Sequence, residues 1–168
     1  MRLRVFEIAV TFSLFMVLSG CGMKPLYATD ETGAGVATEL SSIAIPPADN
    51  RLGQIIRNDL LSSIRPAGSA ANDRYTLVLV TQTREDQATE LSDLGADRLT
   101  VVLTVEYRLV ERSSGRVVDR GKTFSNISYD ETGQSFADLR ARDNAYERAA
   151  HEVSQDIRSR LAAHFASG

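Results

Sequence analysis

The chain has one cysteine, no tryptophan, two histidines and four prolines among 168 residues. A single cysteine excludes an intrachain disulfide framework and a cysteine-based metal cluster. His151 and His164 do not stand at the four-residue step that sets two ligands on one helix face, so they read as partly exposed helix residues rather than a metal pair. No Gly-x-Ser-x-Gly elbow and no phosphate-binding loop occur. The reading is of a protein that is not an enzyme and carries no cofactor. A basic excess is also missing: 19 basic against 22 acidic residues give a net charge of −3, which argues against a nucleic-acid partner. The acidic clusters Glu85-Asp86 and Asp130-Glu131 fall in expected turns and read as solvated charge. Asn126-Ile127-Ser128, a match to a glycosylation acceptor, reads as coincidence.

A membrane-spanning run is absent too. The apolar stretch at residues 5–18, with Glu7 as its only charge, is shorter than the roughly 20 residues a spanning helix needs. Arg2 and Arg4 precede it, which is the layout of a secretory signal. Leu18-Ser19-Gly20-Cys21 then resembles the lipobox of bacterial lipoproteins. The resemblance implies cleavage after Gly20 and a lipid on Cys21. One acyl chain holds a protein only reversibly, whereas two or three hold it firmly. Gly22, where inner-membrane lipoproteins of enteric bacteria commonly carry Asp, implies an outer-membrane address on the periplasmic side. The expected organisation is a signal peptide at 1–20, a lipidated tether at 21–40 that turns into a strand, and one sandwich domain at 41–168.

Ser42-Ile43-Ala44-Ile45 alternates as a strand does and stops at Pro46-Pro47. Asp49 or Asn50 caps a helix whose inner face is Leu52, Ile55, Ile56, Leu60 and Ile64, ending by Arg65 because Pro66 disfavours helical backbone before it. Residues 75–81 are apolar on both parities, an interior strand. Residues 82–97 are polar and read as a loop. Leu99, Val101, Leu103, Val105, Tyr107 and Leu109 then give the clearest two-residue period in the chain. A turn at Arg112-Ser113-Ser114-Gly115-Arg116 leads to a returning strand over 117–129. Ser135, with Asp138 three residues on, caps a last helix with Leu139, Tyr146, Ala149, Val153, Ile157 and Leu161 on its inner face. This order predicts an α+β fold: a two-layer sandwich, two helices packed on one face of a four-stranded, mostly antiparallel sheet.

Cys21-Gly22-Met23-Lys24-Pro25-Leu26-Tyr27, Ile43-Ala44-Ile45, and Arg51, Gln54, Arg57, Asn58 and Leu60 carry a resemblance to the LptE family, lipoproteins of lipopolysaccharide assembly. The resemblance implies a lipid-anchored factor that sits as a plug in the barrel of the translocon protein LptD and binds lipopolysaccharide. A second expectation is an accessory lipoprotein of an envelope ABC-type lipid transporter, also anchored through cysteine. No ligand-binding residue of the family matches a position here by motif.

The candidate ligand site therefore comes from the strands alone. A three-residue loop at Ser113-Ser114-Gly115, with Gly115 in left-handed backbone, sets Arg112 opposite Arg116. It then sets Glu106 opposite Lys122 and Arg108 opposite Arg120, all four away from Leu103, Val105 and Tyr107. Like charges paired across a sheet are destabilising, so Arg108 and Arg120 need Glu106, solvent or an external anion. Arg108, Arg120 and Lys122 are the candidate contacts to lipopolysaccharide phosphate, beside the plainer reading of a solvated sheet face.

Overall fold

The computed structural model describes residues 35–65, 72–91 and 96–167. The expected signal peptide, Cys21 and most of the expected tether lie outside them. In chain order the elements are α1 (Val36–Ser41), β1 (Ile43–Ala44), α2 (Arg51–Ile64), β2 (Tyr75–Leu91), β3 (Ala96–Glu111), β4 (Val117–Glu131) and α3 (Ser135–Ser167). The sheet order is β1-β2-β3-β4, with β1 parallel to β2 and the rest antiparallel. This is the α+β arrangement expected, with the helices against one face and the other face left uncovered by the described residues.

Odd-numbered residues of β3 fill the inner layer: Val101, Leu103, Val105 and Leu109 are fully buried. Ile56, Leu60 and Ile64 of α2 and Ala149, Val153, Ile157 and Leu161 of α3 close over them. This burial, at about 25 cal/mol per Å² of apolar surface, is the main force joining the layers. Asn50 is the cap of α2: its Oδ1 accepts from the Gly53 N–H at 2.7 Å. Asn50→Ala should lower the unfolding free energy by about 1 kcal/mol in urea titration. An unchanged midpoint would deny the cap that role.

Three expectations are corrected. Where the tether was to become a strand, residues 36–41 are the helix α1, and Leu40 is part of the core. The polar stretch 82–97 was expected as a loop, but β2 continues to Leu91 and β3 begins at Ala96, the two pairing from Gln82 with Thr104 to Leu91 with Ala96. Backbone pairing with β3 and side-chain bonds to α3 hold it there, for Glu85 Oε1 accepts from Arg142 Nε at 2.6 Å and from Tyr146 Oη at 2.9 Å. Leu139 is 53% exposed rather than on the inner face, because Ala141 is the first α3 residue to pack on the sheet. The start of α3 also differs in detail, since Asp138 reaches back to the Thr132 N–H at 2.8 Å.

The joint between β4 and α3 is unusually polar. Buried Ser125 donates to Glu152, and Asp156 is held by Thr123 and by Arg160 Nε at 2.7 Å. Burial pushes the Asp156 carboxyl up, but the bonds from Thr123 and Arg160 and the Arg160 charge outweigh it, and the group titrates below its ordinary 3.8. A depressed carboxyl adds stability that is full above the unfolded value and is lost as pH falls through the folded one. Carbon-detected NMR should show this lowered titration, and Arg160→Ala should move it up. A value indifferent to Arg160 would reject the assignment.

Candidate functional site

The open face of the sheet is built from the even-numbered residues of β2, β3 and β4, whose register lines them up in rows. Val78, Arg108 and Arg120 form one row, Val80, Glu106 and Lys122 the next, and Gln82, Thr104 and Phe124 the third. The expected pairings of Arg108 with Arg120 and of Glu106 with Lys122 are those the strands adopt, and all four side chains are exposed.

The turn reaches that register by another route. Glu111, not Arg112, bonds to Arg116, through its N–H to the Arg116 carbonyl at 2.9 Å. The Gly115 N–H closes on the Glu111 carbonyl at 2.8 Å with Gly115 at φ +70°. The loop is therefore one residue longer than expected. A bulge at Val118, where the partners step from Val110 with Val117 to Leu109 with Asp119, restores the register.

Charge is distributed unevenly along this face. At the end far from the turn, each arginine has its own carboxylate. Arg84 grips Asp86 with two donors at 2.6 and 2.7 Å, and Arg98 grips Asp130 at 2.8 and 3.2 Å, which holds the Asp130 carboxyl below its usual range. The acidic residues Asp86 and Asp130, expected as solvated turn charge, are thus strand residues paired across the surface. Near the turn, Lys122 Nζ lies 3.6 Å from Glu106 Oε1, while among the described residues neither the Arg108 nor the Arg120 guanidinium makes an ion pair. Three cations against one carboxylate leave this end positive.

Apolar surface lies beside those cations. Val80 is 46% and Phe124 67% exposed, and Val117 is 44% exposed. A shallow hollow of about 510 Å³ is lined by Val80, Glu106, Arg108, Arg120 and Lys122. Two bare guanidiniums beside exposed valine and phenylalanine suit a ligand with both phosphate and hydrocarbon: arginine presents paired donors to phosphate, and the apolar side chains accept chains. Sequence reasoning missed Val80 and Phe124, although the alternation around each was visible. The histidines are placed apart: His151 pairs with Asp59 at 2.6 Å across to α2, and His164 lies against Phe165. Among the described residues, no three His, Cys, Asp or Glu side chains gather as a metal group.

Solved structures of small bacterial lipoproteins share this layered α+β fold. A protein assigned as a lipoprotein from Caulobacter crescentus CB15 is 28% identical, with a TM-score of 0.65 over 80% of this chain and 98% of its own. A minor lipoprotein from Acinetobacter baumannii (15% identity, TM-score 0.54, 72% of this chain and 88% of its own) shares the fold. So does the rare lipoprotein B of Shewanella oneidensis (14%, 0.51, 74% and 95%). No curated protein matches. The family model described as "LptE: Lipopolysaccharide-assembly" matches residues 40–161, and the chain belongs to the LptE family.

Proposed function

We propose that this protein is a lipid-anchored, non-enzymatic assembly factor for lipopolysaccharide at the outer membrane, facing the periplasm. Acyl chains on Cys21 hold it to the membrane, the folded domain docks in the barrel of LptD as a plug, and the open sheet face contacts lipopolysaccharide phosphate. Family membership supports the assembly role. The observation that carries the ligand contact is the Arg108 and Arg120 pair, directly opposed, unneutralised by any described carboxylate and bordered by exposed Val80.

Arg108→Ala and Arg120→Ala should each weaken binding of purified lipopolysaccharide about tenfold, roughly what one charge-assisted hydrogen bond contributes. Lys122→Ala should do less, because Glu106 already shares that charge. The salt dependence of binding should flatten in step, with the thermal midpoint preserved. Unchanged affinity in all three variants would return these residues to ordinary surface charge. Docking is tested separately: the protein should co-purify with LptD from detergent-solubilised outer membrane, and mass spectrometry should find a diacylglyceryl group in thioether linkage on the Cys21 sulfur.

A further inference from the structure

Among the described residues, the sheet has one long edge with no partner strand. β1 pairs with β2 only at Tyr75 and Thr76, and among the described residues nothing pairs with β2 on that side from Leu77 onward, so the stretch expected as an interior strand is an edge beyond Thr76. An open edge presents a row of backbone N–H and C=O groups that templates another strand. Proteins guard such edges with lysines, bulges, proline or inward charge. The opposite edge, β4, has such guards: Lys122, Arg120 and the bulge at Val118. Along 77–87, β2 has no lysine, proline or glycine, and its pairing with β3 runs without a register shift. Its three charges are all paired within the chain, Arg84 with Asp86 on the surface and the more covered Glu85 with Arg142, so none is left over to repel an incoming strand.

A groove of about 460 Å³ runs beside this unguarded edge on the inner side of the sheet. Thr81 and Thr83 of β2 form one wall, and Leu52, Ile55 and Tyr146 supply half-buried apolar surface. Arg51 stands at the rim between two carboxylates, 3.8 Å from Asp143 and 3.3 Å from Glu147, so the rim is negative on balance. Alternate residues of a strand point to one face, so a strand laid along residues 81–87 would send every second side chain over this groove.

We infer that residues 81–87 of β2 are a strand-addition site for an extended segment of a partner protein. The occupant has apolar side chains at alternate positions and a basic residue at one end. The backbone row accepts only an extended polypeptide, the groove selects the apolar side chains, and Asp143 and Glu147 select the basic one. This inference is independent of the lipopolysaccharide reading, since the groove and the arginine pair lie on opposite faces of the sheet.

The test screens the full chain in detergent against a yeast-displayed library of randomised peptides of about seven residues, the length that matches residues 81–87 at about 3.3 Å each. Enriched peptides should alternate apolar residues, lack proline and carry Lys or Arg near one end. A synthetic copy of an enriched peptide should slow amide exchange at alternate positions of 81–87. N-methylating its amides of one parity should weaken binding about a hundredfold and of the other parity under about threefold, because only one set faces the edge. Thr83→Trp, an exposed position whose new side chain fills the groove, should weaken binding about tenfold, while Arg108→Ala should leave it unchanged. Three results would each overturn the inference: no enriched peptide, equal effects of methylation at both parities, or protection of 81–87 that grows with concentration of the chain alone, which would make a second copy the occupant.

Discussion

Leu103→Ala should lower the unfolding free energy by about 3 kcal/mol, within the range for truncating a buried leucine, while Thr104→Ala beside it should cost under about 0.5 kcal/mol. Leu103 is fully buried at the middle of β3, with Thr83 of β2 and Ser125 of β4 beside it in the sheet. Neither neighbour brings a large apolar side chain that could close the cavity, so relaxation recovers little. Thr104 points to the open face beside Gln82 and Phe124, and its truncation leaves no enclosed space. For a domain of this size the Leu103 loss corresponds to a fall in Tm of about 6–12 °C. Urea denaturation of both variants is the check. Equal costs at the two positions would mean that both faces of β3 are covered, contrary to the two-layer fold.

That contrast between neighbours is also why the fold was readable. From Leu99 to Leu109 β3 alternates apolar and polar residues, broken only by Val102, because one face is dry and one wet. α2 was equally plain, its apolar steps ending where Pro66 forbids continuation. The far half of β2 was illegible for the opposite reason. Thr81, Gln82, Thr83, Arg84, Glu85, Asp86 and Gln87 contain no apolar residue, and the strand exists because β3 offers it a ladder and α3 offers Glu85 two donors. Both causes are distant in sequence, where local pattern has no reach. Leu139 misled in the same way: its helical spacing is correct, but α3 begins beyond the edge of what it covers.

The strands adopt the expected register of the cationic rows, although the turn that leads into it differs. The expected turn was one residue too short, and the unexpected bulge at Val118 added that residue back, so Arg108 still meets Arg120. Without the bulge, the returning strand would have turned over and put Arg120 and Lys122 into the core. Such a reversal is excluded by the charges themselves: burying a lone guanidinium costs far more than a bulge. The groove beside β2 had no sequence signal, since its walls come from α2, β2 and α3 and only packing brings them together.

Gly121→Val should cost about 2 kcal/mol and loosen the strand that carries the cations. Gly121 lies between Arg120 and Lys122 on β4, directly opposite Tyr107. A Cβ there would come within 2.7 Å of the Tyr107 ring, which lies across the glycine. The ring is buried and cannot simply move into solvent, so either it is driven against α3 or β4 shifts outward. Burial first, then the nearby Asp119 charge, hold the Tyr107 phenol up to about 12, and its hydroxyl donates to Asp119 Oδ2 at 3.4 Å. Displacement of the ring should therefore lower that titration toward 10, the ordinary value, in an ultraviolet absorbance titration. Shortening the neighbour relieves the conflict: in a Gly121→Val, Tyr107→Leu double variant the two costs should fall short of their sum by about 1 kcal/mol. Full additivity would show that the glycine is not there for the tyrosine. Because Arg120 and Lys122 flank the same residue, the single variant should also weaken any phosphate contact on the open face, and the double variant should restore it.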